Sequence, residues 1–227
     1  AARAERLERE RAEAARARQR KRLFQLGGAF VLAAAVVLVI VLATGGGSDG
    51  PERRAGESIA GQQAALARYR GIPQDGNVLG DPRAPVTLVE FADLQCPFCK
   101  QYAEEVLPTL VDDYVRPGTV RMVFENLAFL GTDSVRGAQM AGAVGLQGRL
   151  FEFVDIFYAN QGAENSGYVT DEFLRDVAGA IPGVDVERAM NERGAASVQR
   201  ALERAQQRAD EHGIQGTPSF LIGPTGG

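Results

Sequence analysis

The fold of this chain is decided by Val86-Thr87-Leu88-Val89-Glu90-Phe91-Ala92-Asp93-Leu94-Gln95-Cys96-Pro97-Phe98-Cys99-Lys100. An apolar, β-branched run of strand length stops at Asp93, and a short turn then delivers Cys96-Pro97-Phe98-Cys99 to the first turn of a helix. Proline suits the first helical position, where its missing N–H has no intrahelical partner, so Pro97 marks the helix start and Cys96 falls at the cap. There the Cys96 sulfur meets free N–H groups and the positive end of the helix dipole, and both favour a thiolate. Cys99 sits one turn inside, placed to attack a mixed disulfide on Cys96. This is the arrangement of a dithiol redox couple.

The chain has no other cysteine, and its only histidine is His212. Two cysteines and one histidine cannot complete an ordinary four-ligand zinc site within one chain. Inert buried thiols and a zinc half-site completed by dimerisation are the alternatives, and neither accounts for the strand-turn-helix context. His212 stands beside Gly213 and reads as a solvent-facing residue at a helix C-terminus rather than a catalytic one.

Charge is unevenly placed. Residues 1–22 carry nine Arg or Lys against four Glu, while the rest carries 16 basic and 25 acidic residues. The basic end reads as a solvated cytoplasmic segment beside a membrane and not as a nucleic-acid arm. Leu26 to Ala43 is an uncharged run of 18 residues, extended by Leu23 and Phe24, about the length of a spanning helix. We therefore expect one transmembrane helix over 23–44, acting as a signal-anchor; a cleaved signal is the alternative. The positive-inside rule puts the N-terminus in the cytoplasm and everything after Thr44 outside it, a single-pass protein of the cell membrane. Outside the cytosol disulfides form and persist.

Residues 45–57, with the run Gly45-Gly46-Gly47-Ser48-Asp49-Gly50-Pro51, are a flexible linker. Ser58 to Arg70 predicts a short amphipathic helix closed by Gly71, residues 71–77 a turn-rich connection, and Val78-Leu79 a brief edge strand. The helix opened at Cys96 is expected to run toward Arg116, with a kink at Pro108 and a stop at Pro117-Gly118. Thr119 to Phe124 alternates as a strand that continues into Glu125-Asn126-Leu127. Ser134–Gln147, Arg149–Asn160, Thr170–Ala180, Asp185–Arg193 and Ala196–His212 then read as successive helices, with Thr170 and Asp185 as caps. Leu150, Phe151, Phe153, Val154, Ile156, Phe157 and Tyr158 are read as core. A strand pattern returns at Gly216-Thr217-Pro218-Ser219-Phe220-Leu221-Ile222.

The run Gly80 to Cys99, the helical block with Phe151, Phe157 and Tyr158, and Gly216-Thr217-Pro218 together resemble the DsbA-like thiol-disulfide oxidoreductases of bacterial envelopes, in their membrane-anchored Gram-positive form. The resemblance spans about 72 to 227 and implies an α/β architecture: a thioredoxin fold with an inserted all-helical domain, here preceded by the transmembrane helix. Residues 58–131 then form the first part of the thioredoxin fold with the CxxC, 132–212 the helical insertion, and 213–227 the second part.

The resemblance also implies roles. Cys96 is the exposed nucleophile of a redox-active disulfide with Cys99, the buried resolving thiol. Glu90, six residues before Cys96, is a buried acid able to exchange a proton with Cys99; the alternative is a carboxylate at the strand edge paired with an arginine. Thr217-Pro218 is a cis-proline loop packed against the disulfide, and it binds substrate together with Pro97 and Phe98. The partners implied are cysteine-containing exported proteins and a DsbB-like or vitamin-K-epoxide-reductase-like (VKOR-like) membrane reoxidant, with no metal or organic cofactor and no nucleic acid.

This chain has Phe98 where strong oxidants of the family have histidine, and Thr217 before the proline as in isomerase-type relatives. Donation of disulfides is the first expectation. An isomerase or reductase kept reduced by an electron donor is the second, and a thioredoxin-fold binding or chaperone module without turnover the third. The chain begins without methionine and stops at Gly223-Pro224-Thr225-Gly226-Gly227, where the family continues with another strand and helix; we expect a fragment.

Overall fold

The computed structural model describes residues 59–226. The expected basic segment, transmembrane helix and linker lie outside the described residues. Among the described residues no helix is long and apolar enough to cross a membrane.

The described strands make one mixed sheet, ordered β1-β2-β4-β3-β5. They are β1 (Gln74–Asp75), β2 (Val78–Leu79), β3 (Val86–Ala92), β4 (Val120–Asn126) and β5 (Ser219–Pro224). The β-branched run is the central strand β3, parallel to β4 with Glu90 opposite Phe124 and antiparallel to β5 with Glu90 opposite Phe220. Parallel neighbours need a crossover, and the helix opened at Cys96 begins it.

That helix is not continuous to Arg116. It is divided into α2 (Pro97–Glu105), α3 (Leu107–Leu110) and a π-helical turn, Val111–Val115, with α1 (Gln62–Arg68) preceding the sheet. Pro108 offers no N–H to the Glu104 carbonyl and its ring crowds that turn, and the chain bends just before it at Val106, with φ −110 and ψ −46. The π turn closes with Arg116 N–H donating to Val111 O at 2.8 Å. A second difference concerns β2, which is paired on both sides, to β1 and to β4. Gly76, at φ +56, lets the chain fold Gln74-Asp75 back onto Val78-Leu79, so the edge is β1.

Between β4 and β5 come α4 (Thr132–Gly145), α5 (Leu150–Ala159), α6 (Asp171–Gly179), α7 (Val186–Glu192) and α8 (Ala196–Glu211). Thr170 accepts from Phe173 N–H at 3.1 Å and Asp185 from Arg188 N–H at 3.0 Å, so both are side-chain caps. His212 is the exposed C-cap of α8.

Alternation along β3 divides the core into two faces. Leu88 and Ala92 join the larger cluster with Cys99, Ala103, Phe151 and Tyr158. Val89 and Phe91 pack with Ala205 and Ala209 of α8 on the other face. Helix α5 is buried from Leu150 through Tyr158, which fits its nearly uninterrupted apolar sequence. Burying each of its phenylalanines stabilises the fold by about 2–3 kcal/mol.

Candidate active site

Cys96 is the N-cap of α2, with φ −69 and ψ 120, and Pro97 opens the helix. The Cys96 carbonyl accepts from Lys100 N–H at 3.1 Å, so the N–H groups of the first turn are left without intrahelical partners beside the Cys96 sulfur. Both cysteines are free thiols here. Cys96, expected to be exposed, is only 5% exposed against 0% for Cys99. The cover is the Thr217 loop: the Cys96 thiol donates to Thr217 O at 3.3 Å, and Thr217–Pro218 is a cis peptide. Between the two cysteines, Phe98 projects into solvent at 67% exposure.

Burial pushes the Cys99 thiol far above its ordinary range, and the Thr217 side chain and the Asp93 backbone N–H pull against it. A thiolate in an apolar interior loses its hydration, so Cys99 is held as a thiol at neutral pH.

Glu90 is 3% exposed and lies on the central strand, not at an edge. Among the described residues it has no arginine partner. Its place in the β3 alternation puts it on the face covered by α2 and α5. Burial, reinforced by the charge of Asp155, pushes its carboxyl up to about 8. Asp155 on α5 is raised by burial to about 7 against the pull of Arg68. Arg68 of α1 ion-pairs with Asp155 and also donates to the Ala103 carbonyl of α2 at 3.4 Å. Two buried acids and one cation thus lie beneath the CxxC helix.

Sequence reasoning missed the groups that hold the loop before Cys96. The buried Asp93 carboxylate accepts from Gln95 N–H at 2.8 Å, Phe129 N–H at 3.0 Å, Leu130 N–H at 3.1 Å and the Ser134 hydroxyl at 2.6 Å. Gln95 donates to Ser134 Oγ and accepts from Asn165 N–H. Gln161 donates to Leu94 O at 2.8 Å and Cys96 O at 3.3 Å, and the Tyr158 hydroxyl donates to Asp93 O at 3.2 Å. One sequence signal existed: Glu152, Asp155, Tyr158 and Gln161 recur every third position through a segment that is otherwise apolar up to Asn160. That spacing makes consecutive members neighbours on the helix surface, while the row as a whole winds about half-way round α5 and its extension.

Around the cysteines the surface is apolar. Phe98, Phe129 and Phe220 are exposed, and the Phe220 ring packs on Tyr102 of α2 at a centroid distance of 4.7 Å. Pro97 and Pro218 bracket the Cys96 sulfur, one following it in the chain and the other following the carbonyl that accepts from it.

Residues 74–225 match the thioredoxin family model. A Bacillus cereus protein named "Probable disulfide bond formation protein D" is 32% identical over 147 residues, covering 63% of this chain and 68% of that protein. The "Disulfide bond formation protein D" of Bacillus subtilis is 26% identical over 168 residues, 73% of this chain and 72% of that one. The crystal structure of oxidised BdbD from Bacillus subtilis superposes with a TM-score of 0.60 at 25% identity, over 66% of this chain and 85% of that chain.

Proposed function

The chain belongs to the thioredoxin family, and from that membership we propose that Cys96 and Cys99 are the couple with which it oxidises other proteins. It is a protein disulfide oxidoreductase that donates disulfides. The observation that carries the assignment of the site is the placement of Cys96 at the N-cap of α2, against the Thr217 carbonyl, with Cys99 buried one turn inside.

In the oxidised enzyme a substrate thiolate attacks the Cys96 sulfur and the Cys96–Cys99 bond breaks. Cys99 leaves and takes up a proton, because burial disfavours its thiolate. A second substrate thiolate then attacks the substrate sulfur of the mixed disulfide, and Cys96 departs as a thiolate favoured by the helix N-terminus. The substrate gains a disulfide, and the enzyme gains two electrons and is left as the dithiol. Glu90, which carries its proton at neutral pH, is the group we assign to proton exchange with Cys99. Phe98, Pro97, Thr217 and Pro218 form the contact surface for an extended substrate. The exchange uses the two sulfurs and calls for no metal or organic cofactor.

The apolar run over 23–44 and the basic residues before it support a membrane anchor. Residues 23–44 anchor the chain by one transmembrane helix, the basic residues 1–22 stay in the cytoplasm, and the catalytic domain works outside it on exported proteins. A DsbB-like or VKOR-like membrane protein takes the two electrons back.

The test is equilibration of the full chain with a glutathione buffer, together with a Cys99→Ala variant. A donor has a reduction potential toward about −120 mV, whereas about −270 mV marks a reductant. The Cys99→Ala variant is expected to accumulate mixed disulfides through Cys96. Normal turnover without trapped species would sink the assignment.

A further inference from the structure

We propose that Asp93 is the positioning residue of the couple, holding the two cysteines at reacting distance, and that the helices between β4 and β5 set its grip through Ser134 and Tyr158. The main chain of Asp93 closes the turn that carries the couple. Its carbonyl accepts the Cys96 N–H at 3.0 Å. Whatever fixes Asp93 therefore fixes where Cys96 stands at the N-cap of α2, one turn from the buried Cys99.

Asp93 is held from outside the loop, through its carboxylate and its carbonyl. The Ser134 hydroxyl of α4 donates to the Asp93 carboxylate at 2.6 Å, and the Tyr158 hydroxyl of α5 donates to the Asp93 carbonyl at 3.2 Å. Phe129 and Leu130 N–H groups hold the second carboxylate oxygen. A carboxylate with no solvent exposure is costly to fold. Here that cost maintains the geometry from which Cys99 closes on Cys96. Holding two reacting atoms in place raises the effective molarity of one for the other. A looser Asp93 must slow closure and weaken the disulfide by the same factor, without altering the charges that govern the thiolate.

The inference rests on the couple proposed above. The experiment uses the full chain as wild type and as Tyr158→Phe, Ser134→Ala and Asp93→Asn. Two quantities are followed across pH: the rate at which Cys99 displaces glutathione from Cys96, and the equilibrium constant for the Cys96–Cys99 disulfide. Tyr158→Phe and Ser134→Ala are each expected to lower both about fivefold, the factor that one net hydrogen bond represents. Fivefold corresponds to about 20 mV toward a more oxidising couple. The midpoints of the pH profiles should stay in place.

Variants that melt at a lower temperature while closing at the wild-type rate would reduce Asp93 to a structural residue and overturn the proposal. So would a moved pH midpoint with an unchanged limiting rate, which marks an electrostatic effect. If Asp93→Asn does not fold, the two hydroxyl deletions decide. A wild-type chain that never exchanges with glutathione would defeat the couple itself, a result distinct from either.

Discussion

Replacing Glu90 with Gln should remove most of a pH-dependent cost that the fold carries. The group begins at 4.5 as an ordinary glutamate and is raised to about 8 by burial and by Asp155. Between those values the folded chain keeps the proton that the unfolded chain has released. The native state then binds more protons, and its stability falls as pH rises from about 4.5, with the loss complete near the folded value of about 8. Each pH unit in that window costs about 1.4 kcal/mol, on the order of 5 kcal/mol across the whole window.

Gln keeps the shape and has no proton to lose. Urea unfolding of the reduced protein at a series of pH values isolates the effect, because other titrating groups cancel in the difference between the two proteins. The variant should gain on the wild type by about 1.4 kcal/mol per pH unit. A difference that stays constant from about pH 5 to about pH 8 would refute the argument that Glu90 is buried as the acid.

Arg68→Met leaves Asp155 without its cation. At pH 8 the loss should reach about 3–5 kcal/mol, shrinking on acidification because a protonated Asp155 needs no partner; an unchanged unfolding midpoint at pH 8 would contradict this. Phe157, fully buried, packs edge-on against Phe173 at 5.1 Å, and Phe157→Ala should cost about 3–5 kcal/mol in denaturant unfolding. A cost under about 1 kcal/mol would mean that this aromatic cluster contributes little.

The strand Val86–Ala92, the helix start at Cys96 and the five helices between β4 and β5 were legible from periodicity and caps, to within a residue or two. Thr170 and Asp185 could be named as caps because a cap needs only its own side chain and an N–H three residues on. The break at Val106 was misplaced because the clash comes from Pro108 but is relieved at the residue before the restarted turn. The pairing of β1 with β2 was missed because two-residue strands have too little sequence to show alternation.

Sequence by itself pointed to Cys96 and Cys99 as the proposed couple, since two thiols three apart, with a proline between them at a helix start, are a local pattern set by helix geometry. Tertiary structure decided how that pair is held. Thr217 covers Cys96 from 121 residues away, Ser134 reaches Asp93 across 41, and Gln161 reaches Leu94 across 67. Each contact is made by a hydroxyl, amide or carbonyl that looks ordinary in its own neighbourhood. Such groups acquire a role only when packing of the helices against the sheet removes water and leaves them one another as partners.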